Sequence, residues 1–378
     1  MNVPSLTGVR GIAALWVVLF HVQSFGGELG INLAYGLPVL RAGWAGVDLF
    51  FVLSGFVLML VHEQDFPRLR WPPVLRFAWL RFFRIYPLAT VVLLLILALT
   101  LVDREFAVAW SPRSVPPNFT VSSFFRTLFL ATRWWSPTDG DWNQPVWSLS
   151  VEILGYVAFP FIAVAATRIS NRWVLGVLAL GCLAFPTVYA FFYAAKTFND
   201  DIFWGAGVRM AGAFTGGIVL ARLHRLTPES WRGLQGRVAD LGIIALAAAL
   251  LLAPPSGYGL TTLCFGAIVY GLAAGRGAAN WLFSTPLAVW LGRISFPLYL
   301  VHVMALSWLR YSLFRDDASL PDRLPERLAG LVLYLVFIFA LAWLLHLYVE
   351  RPTHHFARAA FPANRKPEAA LAGRPANS

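Results

Sequence analysis

The chain has 378 residues, of which 58% are hydrophobic, 15% aromatic and only 13% charged, with a formal net charge of +11. That balance excludes a soluble globular domain and a disordered chain, both of which carry far more charge. The surplus arginine sits in short segments between apolar runs and forms no continuous basic face, so it points to a lipid bilayer and not to nucleic acid.

Crossing a hydrocarbon core of about 30 Å takes roughly 20 helical residues. Runs of that kind are read at 8–25, 46–61, 86–102, 145–166, 173–195, 204–221, 238–253, 259–275, 288–311 and 329–349. The sequence therefore predicts an all-α polytopic membrane protein of about ten transmembrane helices. Residues 1–360 form one membrane domain, and the tail after Phe361, "PANRKPEAALAGRPANS", rich in Pro, Ala and charge without periodicity, is predicted to be disordered. The start lacks a basic region leading to a short apolar core and a cleavage site, so the first span is expected to be retained. Cys182 and Cys264 lie in apolar spans without pairing or metal-type spacing and are read as packing residues; no metal is expected.

An even number of spans puts both termini on one side. Basic residues then fall about two to one on that side, which predicts cytoplasmic termini in an inner membrane. Arg68, Arg70, Arg76, Arg81, Arg84, Arg222, Arg225, Arg232 and Arg237 lie there, while Asp139, Asp141, Asp200, Asp201, Asp316 and Asp317 lie opposite.

Ionisable side chains inside a bilayer are costly and mark function by default. The first span carries Arg10 at its start and His21 eleven positions on. Eleven steps of 100° make three turns plus about 20°, so both share one face, about 16 Å apart. The second span opens on Asp48, the fourth carries Ser148 and Glu152 one turn apart, the sixth Arg209, the ninth Arg293 and His302, and the tenth His346. With alternating directions, His21, Asp48, Glu152 and His302 fall at similar depth in the outer half. Arg10, Arg81, Arg84 and Arg293 gather at the cytoplasmic edge. Guanidinium forks bind phosphate well, and a histidine beside a carboxylate suits general base work. Acyl-coenzyme A, with a polyanionic head and a long thin arm, fits that two-ended pattern.

Several of these residues have a second reading. Arg10 also suits a positive-inside anchor, and Arg81 and Arg84, in "RFAWLRFFRIYP", also suit lipid headgroups. Asp48 also suits a helix cap or a group behind the site, His302 a packing histidine, and His346 is read as one. The longest outer loop, 103–144, holds a half-length apolar piece, "FFRTLFLAT", read as interfacial or re-entrant. It continues into "TRWWSPTDGDWNQPVW", where Trp134, Trp135, Trp142 and Trp147 with Asp139 and Asp141 suit either a sugar acceptor platform or an aromatic belt.

Taken in order, these stretches resemble the bacterial acyltransferase 3 family of integral membrane acyltransferases, over residues 4–355. The resemblance rests on "RGIAALWVVLFH", a basic residue followed by ten others and a histidine, then on "GVDLFFVLSGF", "RFFRIYP", "WSLSVE", "ISFPLYLVH" and "ERP". It implies acyl transfer from acyl-coenzyme A, most often acetyl, to a hydroxyl of a carbohydrate or glycan. It implies His21 as the essential catalytic residue with Glu152 in the same site. Arg10, Arg81 and Arg84 are implicated in donor binding, and Arg293 is grouped with them by position. Asp48, Trp142, Trp147, Ser148 and His302 are the candidates for the acceptor side. Some relatives carry a fused extracytoplasmic hydrolase-like domain, so a second transfer step here would need a separate partner protein. Direct attack with His21 as base and a relay through an acylated protein group both stay open.

Two rivals make different demands. A proton-coupled transporter or flippase of lipid-linked sugars would use membrane His and Glu as a relay, but transporters often show repeated halves and no repeat is visible. An unrelated acyltransferase fold with its key histidine in a late helix would depend on His302 and not on His21.

Overall fold

The computed structural model of the protein describes residues 3–26, 38–102, 119–134, 141–193, 204–252, 260–314 and 324–361. These hold helices and no strand. The long helices are α1 (Pro4–Gly26), α2 (Gly46–His62), α3 (Trp71–Val102), α5 (Val146–Thr167), α6 (Arg172–Tyr193), α7 (Trp204–Leu226), α8 (Arg232–Leu252), α11 (Pro286–Phe314) and α12 (Leu324–Leu345). Shorter ones are α4 (Val121–Leu128), α9 (Thr261–Leu272), α10 (Ala278–Phe283) and α13 (Arg351–Ala360). A π-helical segment, His346–Glu350, joins α12 to α13.

Among the described residues, eight helices are long and apolar enough to cross a membrane. Helix α7 is long but less apolar, and α9 is apolar but short. Each of the ten expected segments is thus helical, and the protein is a multi-pass membrane protein. The expected interfacial piece is α4. It is inverted relative to a soluble surface helix: Ser123 and Thr127 are buried, while Val121 and Phe125 are exposed. Such a helix turns its apolar face to lipid and its polar face to protein. The predicted tail, 362–378, lies outside the described residues.

One boundary differs from the sequence reading in a way that matters. The third span was expected from residue 86, but α3 begins at Trp71. Pro72 and Pro73 sit in its first turn, where a missing N–H is tolerated, and nothing in "VLRFAWLRFFRIY" breaks a helix. Arg81 and Arg84 therefore stand within a continuous 32-residue helix and not in a surface stretch.

Backbone contacts set the arrangement. Helices α1 and α11 run parallel in close contact, because a Cβ on Gly11 would fall 2.4 Å from Gly292 N and one on Gly292 would fall 2.0 Å from Thr7 O. Helices α2 and α7 do the same: a Cβ on Gly55 would meet Phe214 O at 2.0 Å, and one on Gly217 would meet Val52 O at 2.2 Å. Small residues allow such approach where lipid supplies no hydrophobic drive between helices. Two apolar cores result. One joins α2, α5, α7 and α9 with one side of α1, and the other joins α3, α11 and α12 with the other side. The site lies between them.

Candidate functional site

A cavity of about 250 Å³ opens between α1, α2, α3, α5 and α11. At the end of the bundle where α1 begins, its wall carries Arg10, Arg81 and Arg84. Arg10 Nη2 donates to Gly292 O at 2.6 Å, a contact that the close α1–α11 packing makes possible. The Nε groups of Arg10 and Arg81 are buried without a hydrogen-bond partner among the described residues. Orphan donors of this kind are rare in finished cores, and both of these belong to residues that line one cavity.

Arg84 is held from behind. Its Nη1 donates to Glu350 Oε1, and Nη1 also lies 3.3 Å from His354 Nε2, while the guanidinium stacks 5.1 Å from the Phe296 ring centre. His346 Nδ1 donates to Glu350 Oε2 at 2.7 Å. His346 is therefore hydrogen-bonded to the carboxylate that pairs with Arg84. Glu350 is buried, at 3% exposure, and the π-helical turn brings both its oxygens to partners on two sides. Three guanidiniums face two carboxylates here, Glu152 and Glu350, so the site keeps surplus positive charge.

Helix α5 supplies the middle of the wall. Ser148, Glu152 and Tyr156, spaced four apart, share one face and all line the cavity. Ser54 Oγ and Tyr156 OH each donate to Glu152 Oε1 at 2.7 Å. Both donors fall on the same oxygen, which leaves Oε2 without a donor among the described residues. Two charge-assisted hydrogen bonds anchor the carboxylate at that oxygen.

Two hydroxyls that line the cavity meet each other where α5 and α11 face. Tyr299 OH lies 2.8 Å from Ser148 Oγ, and both lie within hydrogen-bond distance of Pro145 O, at 3.0 and 3.1 Å. Beyond them stand the histidines. His302 is completely buried, one turn past Tyr299, and its Nε2 is 3.3 Å from His21 Nδ1. The two rings meet edge to face, 4.8 Å between centres. His21 itself does not line the cavity, whereas Tyr299, one turn before His302, does.

The sequence-predicted residues thus divide. Arg10, Arg81, Arg84, Ser148 and Glu152 meet on one cavity, and His21 and His302 meet each other beyond its lining. Arg293 is exposed and lies outside the cavity lining. Asp48 is 3% exposed and faces Arg209, whose Nε donates to it at 2.8 Å. Trp147 lies with Trp44 over that same Arg209 guanidinium, at 5.4 and 4.8 Å. Asp48 is therefore committed to a buried ion pair, and half-buried Trp147 packs against the same guanidinium. Trp142 is buried, its Nε1 donating to Thr120 O and Ser123 Oγ at 3.2 and 3.1 Å. It anchors α4 and forms no platform. Asp141 is paired with Arg133 at 3.0 Å. Trp134 remains 42% exposed, and Trp135 and Asp139 lie outside the described residues.

Ser54, Tyr156, Tyr299, Glu350 and His354 were not singled out from sequence. Tyr156 carries a signal in hindsight, since it stands one turn from Glu152. Glu350 and Arg84 are 266 positions apart, and nothing local announces that pair.

Comparison with known proteins gives a consistent result. The acyltransferase 3 family model, described as an acyltransferase domain, matches residues 3–347. Acyltransferase MdmB of Streptomyces mycarofaciens is 30% identical over 335 residues, covering 82% of this chain and 80% of that protein. O-acetyltransferase OatA of Staphylococcus aureus (strain NCTC 8325 / PS 47) is 22% identical over 226 residues, 57% of this chain and 34% of that protein. SACOL0978 of Staphylococcus aureus (strain COL) is 22% identical over 337 residues, 81% of this chain and 51% of that protein. The chain therefore spans about half the length of the latter relative or less of the former. No solved structure matches.

Proposed function

The chain belongs to the acyltransferase 3 family, and from that premise we propose that it moves an acyl group, acetyl in the simplest case, from acyl-coenzyme A to a carbohydrate hydroxyl in cell-envelope or exopolysaccharide biosynthesis. It works as a multi-pass protein of the inner membrane with both termini cytoplasmic. The observation that carries this reading is the polarity of the site: half-buried guanidiniums at one end of a cavity, a hydrogen-bonded carboxylate on its wall, and a histidine pair beyond its lining.

The nucleotide phosphates lie at Arg10, Arg81 and Arg84, whose unmet donors they satisfy. The pantetheine arm follows the α5 face past Glu152. His21 lies outside the cavity lining, so the thioester reaches it past the Ser148–Tyr299 pair. His21 Nε2 takes the proton of the acceptor hydroxyl as its oxygen attacks the thioester carbonyl carbon. The C–S bond then breaks, an ester forms, and His21 returns the proton to the departing coenzyme A thiolate. A proton-coupled transporter would instead need a continuous path from the histidines to Glu152. His302 Nδ1 is instead engaged by the backbone oxygen of Tyr299, 2.7 Å away, which favours a positioned ring over a relay.

The test is mass spectrometry of surface glycans from cells with and without the protein, alongside cells carrying His21→Ala. Loss of one acyl-sized increment in both deficient strains is expected. An unchanged glycan profile on removal of the protein overturns the glycan as acceptor, and full acylation with His21→Ala overturns His21 as base.

A further inference from the structure

The hydrogen bonds around the two histidines determine which nitrogen of each carries a proton. His302 Nδ1 lies 2.7 Å from Tyr299 O, and a carbonyl can only accept, so Nδ1 carries the hydrogen. His302 is completely buried, and no carboxylate is among its hydrogen-bond partners in the described residues. A charged imidazole is costly in such a place, so the ring is neutral and its Nε2 is an acceptor. That Nε2 faces His21 Nδ1 at 3.3 Å, which makes His21 Nδ1 the donor. The other neighbour of His21 Nδ1 agrees: Val17 O, at 2.9 Å, is again only an acceptor. Every contact therefore puts the His21 proton on Nδ1 and leaves the Nε2 lone pair to face outward from the pair.

We infer that His302 is a positioning residue for His21. It fixes the ring in the tautomer that presents Nε2 as the base, and it receives the Nδ1 proton's hydrogen bond as His21 becomes charged. This rests on the reading of His21 as base. Val17 O serves the same tautomer but is a local backbone group already in the α1 ladder. His302 adds a side-chain acceptor from a second helix, at the place where a carboxylate stands in a catalytic triad. Its own position is fixed at two points, since Tyr334 OH donates to His302 O at 3.0 Å and Tyr299 O takes Nδ1–H. The parallel contact of α1 with α11 puts the two histidines level. Gly11 stands against Gly292, ten residues before His302 and ten before His21.

The inference separates two substitutions. Glutamine at this position keeps an acceptor oxygen within reach of His21 Nδ1, and leucine keeps bulk without one. Full-length protein in lipid nanodiscs is assayed for coenzyme A release from acetyl-coenzyme A with cell-envelope glycan as acceptor. His302→Leu is expected to lower kcat about 10- to 100-fold, the range for losing a hydrogen bond to a charged group, with the donor KM within about twofold. His302→Gln is expected to recover most of that loss. Thermal melting of each variant identifies any fold defect, and the Leu-to-Gln comparison is made between variants that melt together. Full kcat in His302→Leu, or equal loss in two variants of equal stability, overturns the positioning role. His21→Ala is run in parallel: if it is fully active, the base reading itself fails, whereas an inactive His21→Ala with a fully active His302→Leu overturns this inference alone.

Discussion

A Cβ placed on Gly11 would lie 2.4 Å from the backbone nitrogen of Gly292, so these two residues hold α1 and α11 in direct backbone contact. That contact places Arg10 on Gly292 O and His21 on His302 at once. Substituting either glycine by alanine forces the helices apart, and overpacking of this kind costs about 1–3 kcal/mol. The expected outcome is a lower melting temperature together with loss of acyl transfer. Gly176→Ala in α6, where nothing lies within 4 Å, is the control and leaves both measurements at wild-type level or slightly raises the melting temperature.

Donor binding separates the arginines. Arg10→Gln and Arg81→Gln each remove a half-buried charge from the cavity wall and are expected to weaken coenzyme A binding about 10- to 100-fold, as for one charge-assisted contact. Arg293→Ala, at an exposed position off the cavity, is expected to bind as the wild type does. Isothermal titration with coenzyme A distinguishes these cases, and an Arg293→Ala defect equal to that of Arg10→Gln contradicts the cavity assignment.

Glu350 supports Arg84 and His346 together. Glu350→Ala leaves the Arg84 guanidinium without its carboxylate, and unpairing a largely buried group costs about 1–3 kcal/mol or more. The combination with Arg84→Ala is expected to cost less than the sum of the single changes, since both remove one pair. Melting curves of the four proteins measure the coupling directly.

Asp48 and Arg209 form a buried pair, with side chains 4% and 5% exposed. Asp48→Ala alone is expected to destabilise the protein by about 3–5 kcal/mol through an uncompensated buried charge. Replacing both with apolar residues, as in Asp48→Leu with Arg209→Met, is expected to restore much of that stability. A stable Asp48→Ala protein whose defect is confined to the acceptor KM would show instead that the carboxylate serves the substrate.

Much of this protein is determined within short reach along the chain. Apolar runs of spanning length fix ten helical segments, and the 100° step of a helix puts Arg10 and His21, or Ser148, Glu152 and Tyr156, on common faces. The polar side of α4 is likewise periodic in sequence, although only its burial shows that it faces protein. Periodicity says which residues share a face. It does not say which helix lies opposite, because side-chain partners across a bundle are set by backbone approach and not by sequence distance. That is why Asp48 and Trp147, level with Glu152 along the bundle, turned out to serve Arg209, and why Arg293 points away from the arginines it was grouped with. The residue pairs that define the site, Arg84 with Glu350, Ser54 with Glu152 and His21 with His302, each join separate helices. The tertiary structure alone decided them, because each partner arrives on a helix remote in sequence; for His21 and His302 the Gly11–Gly292 contact sets that approach.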